Sequence, residues 1–195
     1  QPEINKIKKG KPTNLEFSVS MRPNQLPIVE AYMNNISLEE GKEGGGGIIC
    51  AGCGVGKTVI SLYISTLLKV KTLVIVNKEF LMSQWIERIQ QFIPDAEIGI
   101  IQGKKCNVED KDIVIGMLQS VSQRDYEKSV FKDFGFVIYD ECHHLGAKVF
   151  SQALKKTNFT YTLGLSATPE RNDGLTKVFL WHLGDIVYRE EKKKA

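Results

Sequence analysis

Gly47-Ile48-Ile49-Cys50-Ala51-Gly52-Cys53-Gly54-Val55-Gly56-Lys57-Thr58 is the stretch that decides the fold. It opens on a short apolar run that reads as a buried strand, passes through spaced glycines and ends in Gly-Lys-Thr. The phosphate-cradle pattern G-x-x-x-x-G-K-[ST] is met at Gly56, Lys57 and Thr58, with Ala51 in place of the first glycine. Gly52 and Gly54 add backbone freedom, which lets consecutive N–H groups turn inward around an anion. Beyond the loop, Ile60, Leu62, Ile64, Leu67 and Leu68 give residues 58–68 the apolar pattern of a packed helix. A strand, a glycine loop and a helix N-terminus together make a phosphate site. Residues 51–58 are therefore expected to hold the phosphates of a nucleotide, with Lys57 reaching the β- and γ-phosphates and Thr58 holding Mg²⁺ through its hydroxyl; this motif alone fits kinases, GTPases, transporters and motors.

Downstream, Phe134-Gly135-Phe136-Val137-Ile138-Tyr139 reads as a second buried strand, and it runs into Asp140-Glu141-Cys142-His143. Two adjacent carboxylates at a strand tip put negative charge at the edge of a sheet where α/β proteins bind ligands. Like charges side by side are unfavourable unless a cation or hydrogen bonds compensate. The phosphate cradle supplies that cation. Thr58 and Asp140 are expected to share one Mg²⁺, Asp140 through water, which leaves Glu141 to orient and deprotonate an attacking water. Ser166-Ala167-Thr168-Pro169 follows the next strand, and its hydroxyls are placed to hydrogen-bond the Asp140–Glu141–His143 cluster. A change at the γ-phosphate would then move that loop.

The remaining chain fits this plan. Residues 1–20 are polar and lysine-rich and read as an arm or linker. Leu26, Ile28, Val29, Tyr32 and Met33 outline a helix with prolines near its start. Residues 37–47 read as a loop, ending in four glycines that make a flexible approach to the first strand. Strands are expected at 72–76, 97–101, 112–117, 161–165 and 185–188, and helices at 80–92 and 147–154, the former stopped by Pro94. Strands alternating with helices imply a doubly wound, mainly parallel α/β sheet.

Composition is that of an ordinary globular chain: 195 residues, 42% hydrophobic, 25% charged, net charge +3. The charge permits a nucleic-acid partner without arguing for one, and Lys192-Lys193-Lys194 reads as a solvated tail. No apolar run approaches membrane-spanning length, so no membrane partner is expected. Cys50, Cys53, Cys106 and Cys142 read as reduced thiols, which points to an intracellular compartment, nucleus or cytoplasm. Without an initiator Met or a signal-peptide pattern, the chain is expected to be a piece of a longer protein.

Motif by motif, residues 21–190 resemble the superfamily 2 helicases and translocases, and the resemblance implies a P-loop, RecA-like ATP-binding domain. Arg22-Pro23-Asn24-Gln25 resembles the Q motif, in which Gln25 would read the adenine edge. Residues 51–58 resemble motif I and residues 140–143 motif II in its DExH form, with His143 sensing the γ-phosphate. Residues 76–85 resemble motif Ia, and 115–120 the next backbone-contacting motif. These imply a nucleic-acid surface at Lys78 and Gln84 and at a loop carrying Gln119 and Ser120. Ser166, Ala167 and Thr168 resemble the coupling motif III. The Leu-x-x-Gln-Trp ending of motif Ia, the second histidine His144 and the run to Arg171 are most similar to the XPB and UvsW branch. Poxvirus and asfarvirus transcription helicases share that style, and a viral origin would put the protein in host cytoplasm.

The resemblance further implies a monomeric motor that uses ATP and Mg²⁺ on single-stranded or duplex nucleic acid, DNA favoured over RNA, with 3′-to-5′ movement. It implies a second RecA-like domain carrying an arginine finger. Nothing after Arg171 looks like that domain, so residues 21–190 are expected to be domain 1 alone, with a basic tail at 191–195. Asn77-Lys78 departs from the Pro-Thr of many relatives. Other readings stay open at this point: a P-loop small-molecule kinase, a non-catalytic ATP-gated clamp, or a motor coupled to another activity such as a nuclease.

Overall fold

Alternation of apolar residues along each central strand splits the core into two faces, and the architecture follows from that split. The computed structural model describes residues 10–141, 147–167 and 182–190. In β3 (Thr72–Val76), Val74 and Val76 face one side while Leu73 and Ile75 face the other. β7 (Phe136–Asp140) divides in the same way, Phe136 and Ile138 against Val137 and Tyr139. Helices α1 (Leu26–Met33), α2 (Lys57–Leu68) and α3 (Glu79–Phe92) cover the first face. Helices α4 (Leu118–Gln123) and α5 (Ala147–Lys156) cover the second. Strands buried on both faces are those of a parallel sheet sandwiched between helix layers.

The sheet contains nine strands among the described residues. Besides β3 and β7 they are β1 (Ile36–Ser37), β2 (Gly44–Cys50), β4 (Ile98–Gln102), β5 (Lys105–Asn107), β6 (Ile113–Met117), β8 (Tyr161–Ser166) and β9 (Ile186–Arg189). Their order is β1-β2-β8-β7-β3-β6-β4-β5, with β9 also on β2. From β2 to β4 every pairing is parallel, and the antiparallel β1 and β5 flank this core. The tips of β2, β8, β7, β3 and β6 therefore share one edge. The loop after β2, the acidic tip of β7 and the Ser166–Ala167 turn after β8 are neighbours there, with β3 and β6 beside them.

Three expectations are corrected. The glycine run at 44–47 is not a flexible approach but the first half of β2, paired residue for residue with β8 from Gly45↔Tyr161 onward. Its composition has a steric cause. A Cβ on Gly46 would lie 2.0 Å from Thr162 Oγ1 and 2.3 Å from the Leu183 carbonyl oxygen. Gly46→Ala is accordingly expected to cost about 1–3 kcal/mol through overpacking. The check is a thermal melt, with the midpoint lowered by several degrees.

The arm expected over residues 1–20 lies, from Gly10 to Ser18, along the domain. Thr13 N–H donates to the Lys69 carbonyl (3.0 Å), and Lys71 N–H to the Lys11 carbonyl (2.9 Å). Phe17 stacks on Phe92 with ring centroids 5.5 Å apart and meets Tyr63 edge-on at 5.4 Å. Finally, Gln119 and Ser120 lie in the short helix α4 rather than in a loop. β1 and β5 were also not expected; two or three residues with half-exposed patterns carry little periodicity.

Candidate nucleotide-binding and catalytic site

The phosphate cradle is built by the abrupt passage from β2 to α2. Cys53–Val55 make one 3₁₀ turn, and Gly56 takes a left-handed conformation (φ 79°) immediately before Lys57 starts the helix. Only glycine adopts that conformation freely. Its mirror-handed turn aims the first amides of α2 at the loop's interior. No side chain caps this helix, so its N-terminal N–H groups and positive dipole end are presented as an anion site. Ala51 is buried and donates its N–H to the Ser166 carbonyl at 3.0 Å, which ties the loop's start to the tip of β8. Gly52 N–H donates to the Glu190 carboxylate at 2.7 Å, and Glu190 N–H donates to the Cys50 carbonyl at 2.8 Å. The end of β9 thus clasps the loop's entry. Gly54 is exposed, Val55 is buried, and Thr58 is partly accessible at the second position of α2.

Gln25 braces this loop from behind. It is 2% exposed; its Oε1 accepts from Arg22 N–H (3.0 Å) and its Nε2 donates to the Val55 carbonyl (3.1 Å). Reading an adenine edge with two hydrogen bonds needs both ends of the amide, and here both ends are engaged within the protein. Each end has capacity for a second hydrogen bond, so the expected adenine contact needs no exchange of partners, while the bond to Val55 links residues 22–25 directly to the phosphate loop.

Opposite the cradle, β7 ends at Asp140, and Glu141 turns the chain in the left-handed region (φ 53°). A non-glycine residue there is strained, and such strain clusters at functional sites. The turn swings the Glu141 carboxylate back across β8, where Oε1 meets Lys57 Nζ at 3.2 Å and accepts the Ala167 main-chain N–H. Lys57 is 9% and Glu141 23% exposed. Three motifs far apart in sequence thus converge on one carboxylate oxygen. The link from the β8 turn runs through the Ala167 amide; Ser166 is buried, and its carbonyl holds Ala51. His143 and Thr168 fall outside the described residues.

Asp140 is 8% exposed, and its Oδ2 accepts the indole N–H of Trp85 at 2.8 Å. Burial raises its carboxyl above the ordinary aspartate value. The Trp85 hydrogen bond pulls it down, Glu141 pushes it up, and Lys57 pulls it down again. The sequence reading missed this bond. The available signal was general: a buried Trp has one N–H that needs an acceptor.

The residues expected on the nucleic-acid side lie further along the same edge. Lys78 is exposed at the tip of β3, with its ammonium 5.7 Å from the ring centroid of Phe80, which is 57% exposed. Gln84 is exposed on α3. Gln119 Nε2 donates to the Asn77 carbonyl (3.3 Å), while its Oε1 is buried without a hydrogen-bond partner among the described residues. Oriented this way Gln119 ties two strand tips together. Ser120 Oγ accepts the Gly103 N–H at 2.8 Å.

The donors suit the expected ligands. A hydroxyl at Thr58 and a carboxylate at Asp140 are hard oxygen ligands, and Mg²⁺ commonly binds through one or two protein groups together with substrate phosphates and water. Among the described residues no group of three or more His, Cys, Asp and Glu could hold a metal ion by itself. Cys50 and Cys106 are free thiols, raised by burial, and no helix among the described residues is long and apolar enough to cross a membrane.

A phosphate loop and an acidic strand tip, facing each other across a single intervening strand, define a P-loop protein on a RecA-like sheet. Residues 18–171 match the family described as type III restriction enzyme, res subunit, and the chain belongs to this family, as a first RecA-like domain of the superfamily 2 helicase type. Over 176 residues the chain is 38% identical to the DNA 3′-5′ translocase XPB2 of Sulfurisphaera tokodaii, covering 90% of this chain and 37% of that protein. It is 37% identical over 200 residues to a protein of Acanthamoeba polyphaga mimivirus provisionally named an ATP-dependent RNA helicase, covering 99% of this chain and 36% of the relative. The chain thus spans little more than a third of the length of these curated relatives. The UvsW helicase of bacteriophage T4 shares the fold, with a TM-score of 0.68 at 21% identity over 93% of this chain and 64% of that one.

Proposed function

We propose that the chain is the ATP-binding half of a motor that hydrolyses ATP to move along or unwind nucleic acid. The observation that carries this is the convergence of Lys57, Glu141 and the Ala167 amide, because it joins the phosphate loop, the acidic tip and the β8 turn at one atom. ATP enters with Mg²⁺, which supplies charge neutralisation at the phosphates when bound. Lys57 then exchanges Glu141 for the β- and γ-phosphates. Released from Lys57, Glu141 orients a water and accepts its proton during in-line attack. The Ala167 amide follows the Glu141 carboxylate, so ATP loading and hydrolysis are passed to the β8 turn, with Ser166 and Thr168 on either side of it. His143, which lies outside the described residues, is assigned the role of sensing the γ-phosphate.

The other wall of this cleft is a second RecA-like domain carrying an arginine finger; relatives almost three times as long leave room for one. Such a finger is worth about 10³–10⁵ in rate. Residues 21–190 form the ATP-binding domain on this reading. A protein consisting of residues 1–195 alone is expected to bind nucleotide weakly and to hydrolyse it far below the roughly 1–100 s⁻¹ of complete phosphoryl-transfer enzymes. Steady-state phosphate release measures this; turnover in that range would remove the need for a second domain.

The track is bound at the tips of β3 and β6, through Lys78, Gln84 and Ser120 and the main-chain amides beside Gln119. Backbone contacts of this kind are largely independent of sequence. DNA is the proposed track and 3′-to-5′ the proposed polarity, as in the name of the Sulfurisphaera relative, and the motor acts as a monomer. The mimivirus relative's name points to RNA instead. Single-stranded DNA and RNA of one sequence, compared as stimulators of the full-length ATPase at fixed salt, decide between them. Greater stimulation by DNA is expected, and greater stimulation by RNA would reverse the assignment.

A further inference from the structure

The bond between Trp85 and Asp140 joins two parts of the molecule that the proposed function treats separately. Trp85 is 1% exposed, and among all possible acceptors its single N–H reaches the carboxylate assigned to Mg²⁺, 55 residues away in sequence. A carboxylate with one oxygen fixed by a rigid indole cannot turn about its Cβ–Cγ bond, so the direction of its other oxygen is set as well. Partners of this kind orient metal-binding carboxylates. The indole is in turn fixed by the helix that carries it.

Helix α3 begins just after the exposed Lys78, and its first turn presents the exposed ring of Phe80 beneath the Lys78 ammonium. A cation beside an open aromatic face is the pairing on which single-stranded nucleic acid stacks. From Phe80 to Trp85 is five residues, about 7.5 Å of helix. β3 and β7 are adjacent in the sheet, Ile75 opposite Tyr139, so the same short helix starts at the nucleic-acid edge and ends its second turn against the catalytic tip.

We infer that Trp85 is a positioning residue: its indole N–H sets the rotation of the Asp140 carboxylate, and through α3 it passes nucleic-acid occupancy at Lys78 and Phe80 to the metal site. The inference rests on the proposed reading of Asp140 as the Mg²⁺ carboxylate, and the test separates the two.

Full-length protein is prepared with Trp85 replaced by benzothienylalanine, which keeps the bicyclic shape and puts sulfur where the N–H was. Trp85→Phe and Asp140→Asn are made alongside. Binding of a fluorescent, non-hydrolysable ATP analogue is titrated with Mg²⁺, with and without oligothymidylate, and each protein is melted. In the benzothienyl variant the half-saturating Mg²⁺ is expected to rise about 10–100-fold, the usual effect of removing an outer-shell partner. Nucleotide binding in EDTA and the melting temperature should stay near wild type. In wild type, oligothymidylate should lower the half-saturating Mg²⁺, and that linkage should vanish in the variant. Unchanged Mg²⁺ dependence in the benzothienyl protein, with Asp140→Asn impaired, would overturn the inference alone. Unchanged dependence in Asp140→Asn would overturn the metal reading beneath it. Absence of any oligothymidylate effect on wild type would overturn the link to nucleic acid. If Trp85→Phe is too unstable to assay, the isosteric variant decides.

Discussion

Replacing Lys57 with alanine is expected to abolish nucleotide binding at concentrations that saturate the wild type. The ammonium is the cradle's mobile positive charge and sits 9% exposed between the loop and the acidic tip. Charged hydrogen bonds are worth about 1.5–3 kcal/mol each. Loss of two, to the β- and γ-phosphates, weakens affinity by roughly 10²–10⁴-fold. The fold should survive, because the backbone of the loop is held by contacts that do not involve this side chain: Gly52 to Glu190, Ala51 to Ser166, and Gln25 to Val55. Calorimetric titration with Mg·ATP measures the affinity, and circular dichroism reports the fold. Affinity equal to wild type would remove the phosphate-loop assignment.

The second large effect is expected at Glu141. In the full-length protein Glu141→Gln keeps the size of the side chain and one acceptor oxygen, so the Ala167 amide and the Lys57 ammonium retain a partner. The ability to take a proton is lost, together with the negative charge that pairs with Lys57. General-base catalysis contributes about 10²–10⁴ in rate, and single-turnover hydrolysis should fall by that factor while ATP stays bound. A motor stopped in its ATP state should also hold nucleic acid longer, which the lifetime of a labelled complex would show. Retained turnover would mean that another group is the base.

These predictions use a site whose chemistry was legible early and whose wiring was not. Val74, Ile115 and Ile138 sit in continuous apolar runs, which are written by burial on both faces, and the strands appear within a residue or two of expectation. The alternation of strands with helices was enough to give the doubly wound sheet. Glycine is a weak strand former, so the run at 44–47 reads as a loop until Thr162 and Leu183 are placed against Gly46. That information lies more than a hundred residues away in the chain.

The same holds within the site. Motif spacing identifies Lys57, Asp140 and Glu141 as types, yet it cannot say that Lys57 rests on Glu141. Nor can it say that the β8 turn reaches that carboxylate through the Ala167 amide, or that Trp85 holds Asp140. A single sequence records which side chains are present at a strand tip, whereas the strand order β2-β8-β7-β3 decides which tips meet. Gln25 illustrates the difference: its motif suggested a reader of adenine, and the fold shows in addition that its Nε2 holds the phosphate loop at Val55 while its Oε1 accepts from Arg22 N–H.

The central claim is that the cleft between the phosphate loop and the acidic tip hydrolyses ATP in response to nucleic acid. Steady-state ATPase of the full-length protein, with and without single-stranded nucleic acid and at stated salt, tests it most directly. Turnover is expected to be low alone, to rise severalfold or more with nucleic acid, and to be lost in both states in Glu141→Gln. Turnover indifferent to nucleic acid, or phosphoryl transfer to a small-molecule acceptor instead of water, would contradict the claim.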